Sequence, residues 1–84
     1  MYYIYILQSK KNKSLYIGYT TNIKKRLTEH NSGKSQATRP FRPYELIYYE
    51  VFLNMNDAKS REEYLKSGWG RRTIDKMLKN YFQK

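Results

Sequence analysis

The chain has 84 residues, enough for one small domain with a single core. Its 17 lysines and arginines outnumber 7 aspartates and glutamates, and the formal net charge of +10 favours a polyanion such as nucleic acid as the partner. The absence of cysteine excludes disulfides, thiolate metal sites and cysteine nucleophiles.

The first predicted element is a central strand, because residues Tyr2 to Leu7 are apolar on both alternating faces. Positive charge follows this short apolar stretch rather than preceding it, which is the reverse of a secretory signal. No run approaches the ~18 apolar residues of a membrane span. We therefore expect a cytoplasmic protein that does not contact membranes.

A polar, lysine-rich segment then leads into a second strand at about Leu15 to Tyr19, which forms a hairpin with the first. Thr21 as N-cap and Gly33 just past the end predict an amphipathic helix over roughly 22–32. The segment from Lys34 to Pro43 contains both prolines and is predicted as a loop. Residues Tyr44 to Phe52 have β-rich composition and predict the third strand.

Either Asn54 or Asn56 is expected to cap a second helix that runs to about Ser67 and is ended by Gly68 and Gly70. A third helix follows, and its predicted buried stripe consists of Ile74, Met77, Leu78 and Tyr81. The order β-β-α-β-α-α predicts one α+β domain over residues 1–84, with a three-stranded antiparallel sheet flanked by three helices.

Three residues of the predicted hairpin share one face of the sheet. Residues two apart in a strand point the same way, so Tyr5 and Tyr16 can meet across adjacent strands. Gly18 on the same face would leave space for a ligand to approach the backbone. The alternative is an aromatic cross-strand pair that only stabilises the sheet.

Arg26 and His30 lie four residues apart and are therefore neighbours on the first helix. A guanidinium can balance the charge that develops on a phosphate during cleavage, which suits Arg26. Without the arginine beside it, His30 would be interpreted as a surface or capping residue, because a lone histidine at a helix edge more often has that role.

Glu62 conflicts with the pattern of the second helix. Ala58, Glu62 and Leu65 fall on one stripe, which places a carboxylate among apolar residues. A buried carboxylate must be paired or bound to a metal, whereas the neighbouring Glu63 is expected to face solvent. The alternative to a metal site is that Glu62 pairs with Arg61 or with a lysine.

The chain resembles the GIY-YIG nuclease family through Tyr3-Ile4-Tyr5 and Tyr16-Ile17-Gly18, followed in order by Arg26, His30 and Glu62. The resemblance extends over nearly the whole chain. The second block keeps the family's Tyr-Ile-Gly intact, and the first has Tyr3 where the family usually has glycine. Ala58, Arg61 and Glu62 match the family's alanine, arginine and metal-binding glutamate.

The resemblance implies an endonuclease that hydrolyses DNA phosphodiester bonds with a single Mg²⁺ or Mn²⁺ bound by Glu62. It implies that Tyr5 activates water, that Tyr16 positions the water or the phosphate, and that Arg26 and His30 complete the catalytic set. The family also tends to have an asparagine in the last helix. Asn80 is the candidate here, although its distance from Glu62 along the chain is longer than usual.

The DNA-binding surface is expected to consist of basic residues near these positions: Lys24, Lys25, Lys34, Arg39, Arg42, Arg61 and Lys66. The DNA could be branched or damaged, and RNA remains an alternative substrate. Two further hypotheses are a nucleic-acid-binding module that does not cut and a nuclease domain that depends on a protein partner for recognition.

Overall fold

The computed structural model describes all residues from 1 to 84, and its sheet has the predicted architecture. The strands are β1 (Tyr2–Ser9), β2 (Leu15–Thr20) and β3 (Tyr44–Phe52). They form an antiparallel sheet in the order β2-β1-β3, so β1 is central, as its apolar composition predicts.

The two faces of β1 pack against different parts of the molecule. Ile4 and Ile6 are fully buried on one side, which we call the core face, where they pack with Ala58, Leu65 and Ile74. The opposite side, which we call the site face, carries Tyr3, Tyr5 and Leu7, and the last two pack with Tyr44 in a second cluster. One short strand therefore builds the main core and presents the candidate site.

The first helix, α1 (Ile23–Asn31), lies within the predicted range, but its N-cap differs from the predicted one. The side chain of Asn22, and not that of Thr21, accepts a hydrogen bond from the backbone N–H of Lys25 at 3.0 Å. Gly33 ends the helix with a positive φ of 85°, as predicted. The predicted loop contains one 3₁₀ turn, Arg39–Phe41.

The second helix, α2 (Met55–Lys66), is capped by Asn54, which accepts from the backbone N–H groups of Asn56 and Asp57. The predicted role of the two glycines is wrong, because Gly68 and Gly70 belong to the first turn of α3 (Gly68–Met77). The Ser67 side chain caps α3 by accepting from Gly70. A Cβ at Gly70 would overlap the backbone of α2, so this glycine permits the two helices to approach closely.

The predicted last helix is interrupted after α3, and a short helix α4 (Lys79–Phe82) follows. The helices α2 and α3 cover the core face with α4 beside them, and α1 lies over one end of the site face against β3. The fold is therefore α+β, with the sheet between two helical layers.

Candidate active site

Tyr5 occupies the centre of the site face. It pairs with Gly18 on β2 and with Tyr49 on β3, and its side chain is only 2% exposed. A Cβ at Gly18 would overlap the hydroxyl group and ring of Tyr5. Gly18 thus makes room for the Tyr5 side chain, whereas the sequence suggested room for a ligand.

His30 is fully buried and contacts both tyrosines. Its Nε2 is 3.0 Å from the Tyr5 hydroxyl oxygen and its Nδ1 is 2.8 Å from Thr38 Oγ1. The centroid of its ring lies 4.8 Å from that of Tyr16, and the rings of Tyr5 and Tyr16 are 6.3 Å apart. The surface or capping role that the sequence left open for His30 is therefore wrong.

Burial sets the protonation of the Tyr5–His30 pair. Burial, and then the charge of Arg26, lowers the pKa of His30, so the imidazole is neutral at neutral pH. Burial, followed by the nearby Tyr16, raises the pKa of Tyr5 to about 12. Tyr5 therefore keeps its proton in this environment.

The same surroundings favour one tautomer of His30. The Thr38 hydroxyl has its own acceptor, the carbonyl oxygen of Ser35 at 3.5 Å, so Thr38 can accept from His30 Nδ1–H. His30 Nε2 is then free to accept the Tyr5 hydroxyl proton in a hydrogen bond. Thr38 lies in the proline-containing segment without periodicity, and no pattern in the sequence connects it with His30.

Arg26 is the cation at the accessible edge of the cluster. Its side chain is 35% exposed, and its Nη1 donates to Glu29 Oε1 at 2.9 Å. That hydrogen bond is the main reason why the pKa of Arg26 is raised, and the neighbouring Tyr5 and Tyr16 contribute further. None of the three surface grooves is lined by Tyr5, Tyr16 or His30, but Arg26 lines one, so it connects the cluster with the surface.

Glu62 lies on α2 between Ala58 and Leu65, both fully buried, while Glu63 faces solvent as predicted. The Glu62 side chain is 21% exposed, and one of its oxygens is 3.1 Å from Lys66 Nζ. The lysine pairing that the sequence left as an alternative is thus observed. The Glu62 carboxylate is also the weakest of the influences that raise the pKa of Tyr5, so it is within electrostatic reach of that residue.

The donor set suits a single hard cation that shares its coordination with a substrate. No group of three or more histidine, aspartate or glutamate side chains converges anywhere in the chain. Mg²⁺ keeps several waters and uses substrate phosphates together with one or two carboxylates, so Glu62 alone is a sufficient protein ligand. The residues present therefore fit a metal site in which Glu62 is the protein ligand.

Most of the predicted DNA-binding residues are exposed on one side of the molecule. Lys24, Lys25 and Lys34 line a groove along the outer side of α1. Arg39 and Arg42 are exposed at the end of that helix, where the Arg39 Nε donates to the Gly33 carbonyl oxygen at 2.7 Å and the Arg42 guanidinium packs against Gly33.

Two other predicted residues are engaged elsewhere or lie apart. Arg61 forms a bidentate ion pair with Glu50, with distances of 2.9 and 3.0 Å, on the core-face side of β3. Asn80 is exposed on α4. The structure does not bring either residue together with the cluster of Tyr5, Tyr16 and His30. Lys66, in contrast, contacts the candidate site through its ion pair with Glu62.

Known proteins resemble this chain in sequence and fold. A family model described as the GIY-YIG catalytic domain matches residues 1–75. A UPF0213 protein of Clostridium perfringens is 46% identical over 67 residues, which cover 79% of this chain and 71% of that protein. A UPF0213 protein of Staphylococcus haemolyticus is 43% identical over 67 residues, covering 79% of this chain and 80% of that protein.

A solved structure supports the same assignment. The solution NMR structure of a UPF0213 protein from Bacillus halodurans has a TM-score of 0.57 and 32% sequence identity, and the match covers 92% of this chain and 85% of that one. None of the helices here combines the length and the apolar character needed to cross a bilayer. Because the family model spans every position from Tyr5 to Glu62, the chain belongs to the GIY-YIG family, whose catalytic domain is a nuclease domain.

Proposed function

We propose that this protein is a metal-dependent endonuclease that hydrolyses phosphodiester bonds in DNA. The observation that carries the proposal is the clustering of Tyr5, Tyr16 and His30, with Arg26 at its accessible edge and the Glu62 carboxylate within electrostatic reach. A packing cluster alone needs neither a guanidinium nor a carboxylate at that place. Nearby charges of both signs suit phosphoryl chemistry.

Tyr16 is the better candidate for contact with the attacking water. Tyr5 is 2% exposed and its pKa of about 12 disfavours loss of its proton. Tyr16 is half-buried on the same face and its ring lies beside His30. We therefore propose that Tyr16 contacts and orients the attacking water in the place that the family resemblance suggested for Tyr5, and that Tyr5 is a positioning residue that orders His30 and the Tyr16 ring.

Arg26 would stabilise the charge that develops on the phosphate while the oxygen of water bonds to phosphorus and the bond to the leaving sugar oxygen breaks. Glu62 would hold the single divalent cation, Mg²⁺ or Mn²⁺, which supplies Lewis-acid stabilisation of the same charge. Its ion pair with Lys66 is of the i,i+4 type, worth about 0.3–0.5 kcal/mol, so it opens at little cost. Lys66 is then free to contact a phosphate.

The test is cleavage of labelled single-stranded, duplex and branched DNA, and of RNA, by the purified protein with Mg²⁺ and with EDTA. We expect nicking of DNA with Mg²⁺ only. Tyr16→Phe should slow single-turnover cleavage by about two to four orders of magnitude with little loss of DNA affinity. Binding without cleavage on every substrate would instead support a binding module, and activity only with an added protein would support a partner-dependent nuclease.

Tyr5→Phe is the matched variant, because it also removes one hydroxyl group from the cluster. We expect it to lower the thermal stability and to slow cleavage less than Tyr16→Phe does. The reverse order of the two rates would assign the contact with the attacking water to Tyr5.

A further inference from the structure

An apolar patch on the site face remains uncovered beyond the end that α1 protects. Tyr49 is 52% exposed, and Val51, two residues further along β3, is also exposed. The ring of Tyr3 lies beside Tyr49, with centroids 6.2 Å apart and an angle of 58° between the planes. We call Tyr3 and Tyr49 the tyrosine platform.

The platform is continuous with the candidate active site. Tyr49 pairs directly with Tyr5 across the β1–β3 ladder, and Tyr3 pairs with Thr20 on β2. Thr20 lines the groove that also contains Lys25 and Arg26. A strand whose phosphates follow this groove would therefore bring the neighbouring base towards Tyr3 and Tyr49.

The charge around the platform favours a nucleic acid over a second copy of the chain. The two acidic residues of β3 are held on the opposite face: Glu50 by Arg61 and Glu45 by the Tyr81 hydroxyl. The platform is thus clear of carboxylates on its own strand. A second copy would bring a further formal charge of +10 to this surface, whereas a polyanion is attracted to it.

We propose that the tyrosine platform stacks against an unpaired base of the DNA strand whose phosphate lies at Arg26. Aromatic rings bind exposed bases in this way whatever the sequence, and the bases of an intact duplex are not available for it. The Tyr3 ring beside Tyr49 extends the aromatic surface that is available to a base. This inference rests on the proposed function and gives it a substrate class, which is DNA with unpaired bases beside the cleaved bond.

The experiment measures equilibrium binding in EDTA, so that no cleavage is required. A fluorescently labelled 12-nucleotide single strand and a duplex of the same sequence are titrated with wild type, Tyr49→Leu and Tyr49→Phe. Tyr49→Leu stays apolar but lacks the ring, and we expect its affinity for the single strand to fall by about 5- to 150-fold, with a much smaller fall for the duplex. Tyr49→Phe keeps the ring and should bind as wild type does.

Equal affinity of Tyr49→Leu and wild type for the single strand would overturn the inference, as would an equal loss for both DNAs. Sedimentation velocity adds a further check, because a wild-type dimer that is lost in Tyr49→Leu would make the patch an interface between copies. Cleavage by wild type is scored separately. If wild type cleaves no substrate, the proposed nuclease function is refuted. The binding data for Tyr49→Leu and Tyr49→Phe still test the tyrosine platform independently.

Discussion

Tyr5 and Tyr16 lie on the same sheet face with ring centroids 6.3 Å apart, yet their surroundings differ. Tyr5 is enclosed by Gly18 and His30, and burial raises its pKa. Tyr16 is half-buried, because it pairs with Leu7 nearer the end of β2. The two phenols therefore differ in burial because of packing and not because of residue type.

Glu62 and the neighbouring Glu63 are expected to respond differently to substitution. Glu62→Gln should lower the cleavage rate at least about 100-fold, because the amide is a weaker ligand for a hard cation. The melting temperature should change little, since only the pair with the half-exposed Lys66 is lost. Rates and thermal melts of Glu62→Gln and of Glu63→Gln, the exposed control, check this. A Glu62→Gln protein that unfolds, or that still cuts at the wild-type rate, would make Glu62 a structural ion-pair partner.

His30 is the single histidine, so the stability of the protein between pH 7 and pH 5 reports mainly on it. Its pKa in the folded state is lowered by burial, so the unfolded chain binds a proton more readily. The stabilisation is complete above the unfolded pKa of about 6.5 and is lost as the pH falls through the lower folded value. We expect the melting temperature to decrease from pH 7 to pH 5 in wild type.

His30→Gln is the control for that titration, because glutamine can still form hydrogen bonds but does not take up a proton in this range. Its melting temperature should be lower at pH 7 and nearly constant down to pH 5. An equally steep decrease in both proteins would assign the pH dependence to carboxylates instead.

At the scale of elements, β1 joins the core to the site. Its alternation places Ile4 and Ile6 under α2 and α3, and Tyr3 and Tyr5 on the side of α1. A shift of one residue in its pairing would exchange the two sets, so the core that holds the sheet together also fixes the position of Tyr5. The helix α1 contributes Arg26 and His30, and its orientation determines whether both reach the cluster.

The capping of α1 gives a prediction at this scale. Asn22→Ala removes the side chain that accepts from Lys25 N–H and should lower the free energy of unfolding by about 1 kcal/mol. Thr21→Ala is the matched control and should change it by less than about 0.5 kcal/mol, because Thr21 is exposed and does not cap the helix. Urea unfolding of both variants measures the two changes. A larger loss of unfolding free energy for Thr21→Ala than for Asn22→Ala would make Thr21 the cap.

At the scale of the whole molecule, the charge of +10 should make DNA binding strongly dependent on salt. The logarithm of the affinity for duplex DNA should fall linearly with the logarithm of the salt concentration, with a slope of about −0.9 per phosphate contact. Lys25→Gln should make that slope shallower by about 1, because Lys25 lines both grooves beside α1 and one phosphate contact is lost.

Arg61→Gln removes the same charge from a residue that is already paired with Glu50, so its slope should stay close to that of wild type. Titrations at several salt concentrations, with melts to confirm folding, provide the comparison. A wild-type affinity that does not depend on the salt concentration would contradict the electrostatic account. A slope for Arg61→Gln as shallow as that for Lys25→Gln would make Arg61 a DNA contact.

The sequence by itself determined the three strands, their order in the sheet and the extent of α1 and α2, because these follow from local periodicity and local capping. Through the order of a family motif it also predicted Tyr5, Tyr16, Arg26, His30 and Glu62 as candidate site residues. It assigned Gly68 and Gly70 to the end of α2 although they form the first turn of α3, because Gly70, which is required for close helix contact, has the same local signature as a helix end.

Only the tertiary structure decided how these residues interact, since burial and long-range contacts have no signature in a single chain. It buried His30 between Tyr5 and Thr38, which are 25 and 8 residues away along the sequence. It directed Arg61 to Glu50 and left Tyr49 exposed beside Tyr3. The physical reason is that the pKa of a group and the pairing of a charge depend on the distance to other groups and to water, and folding alone sets both.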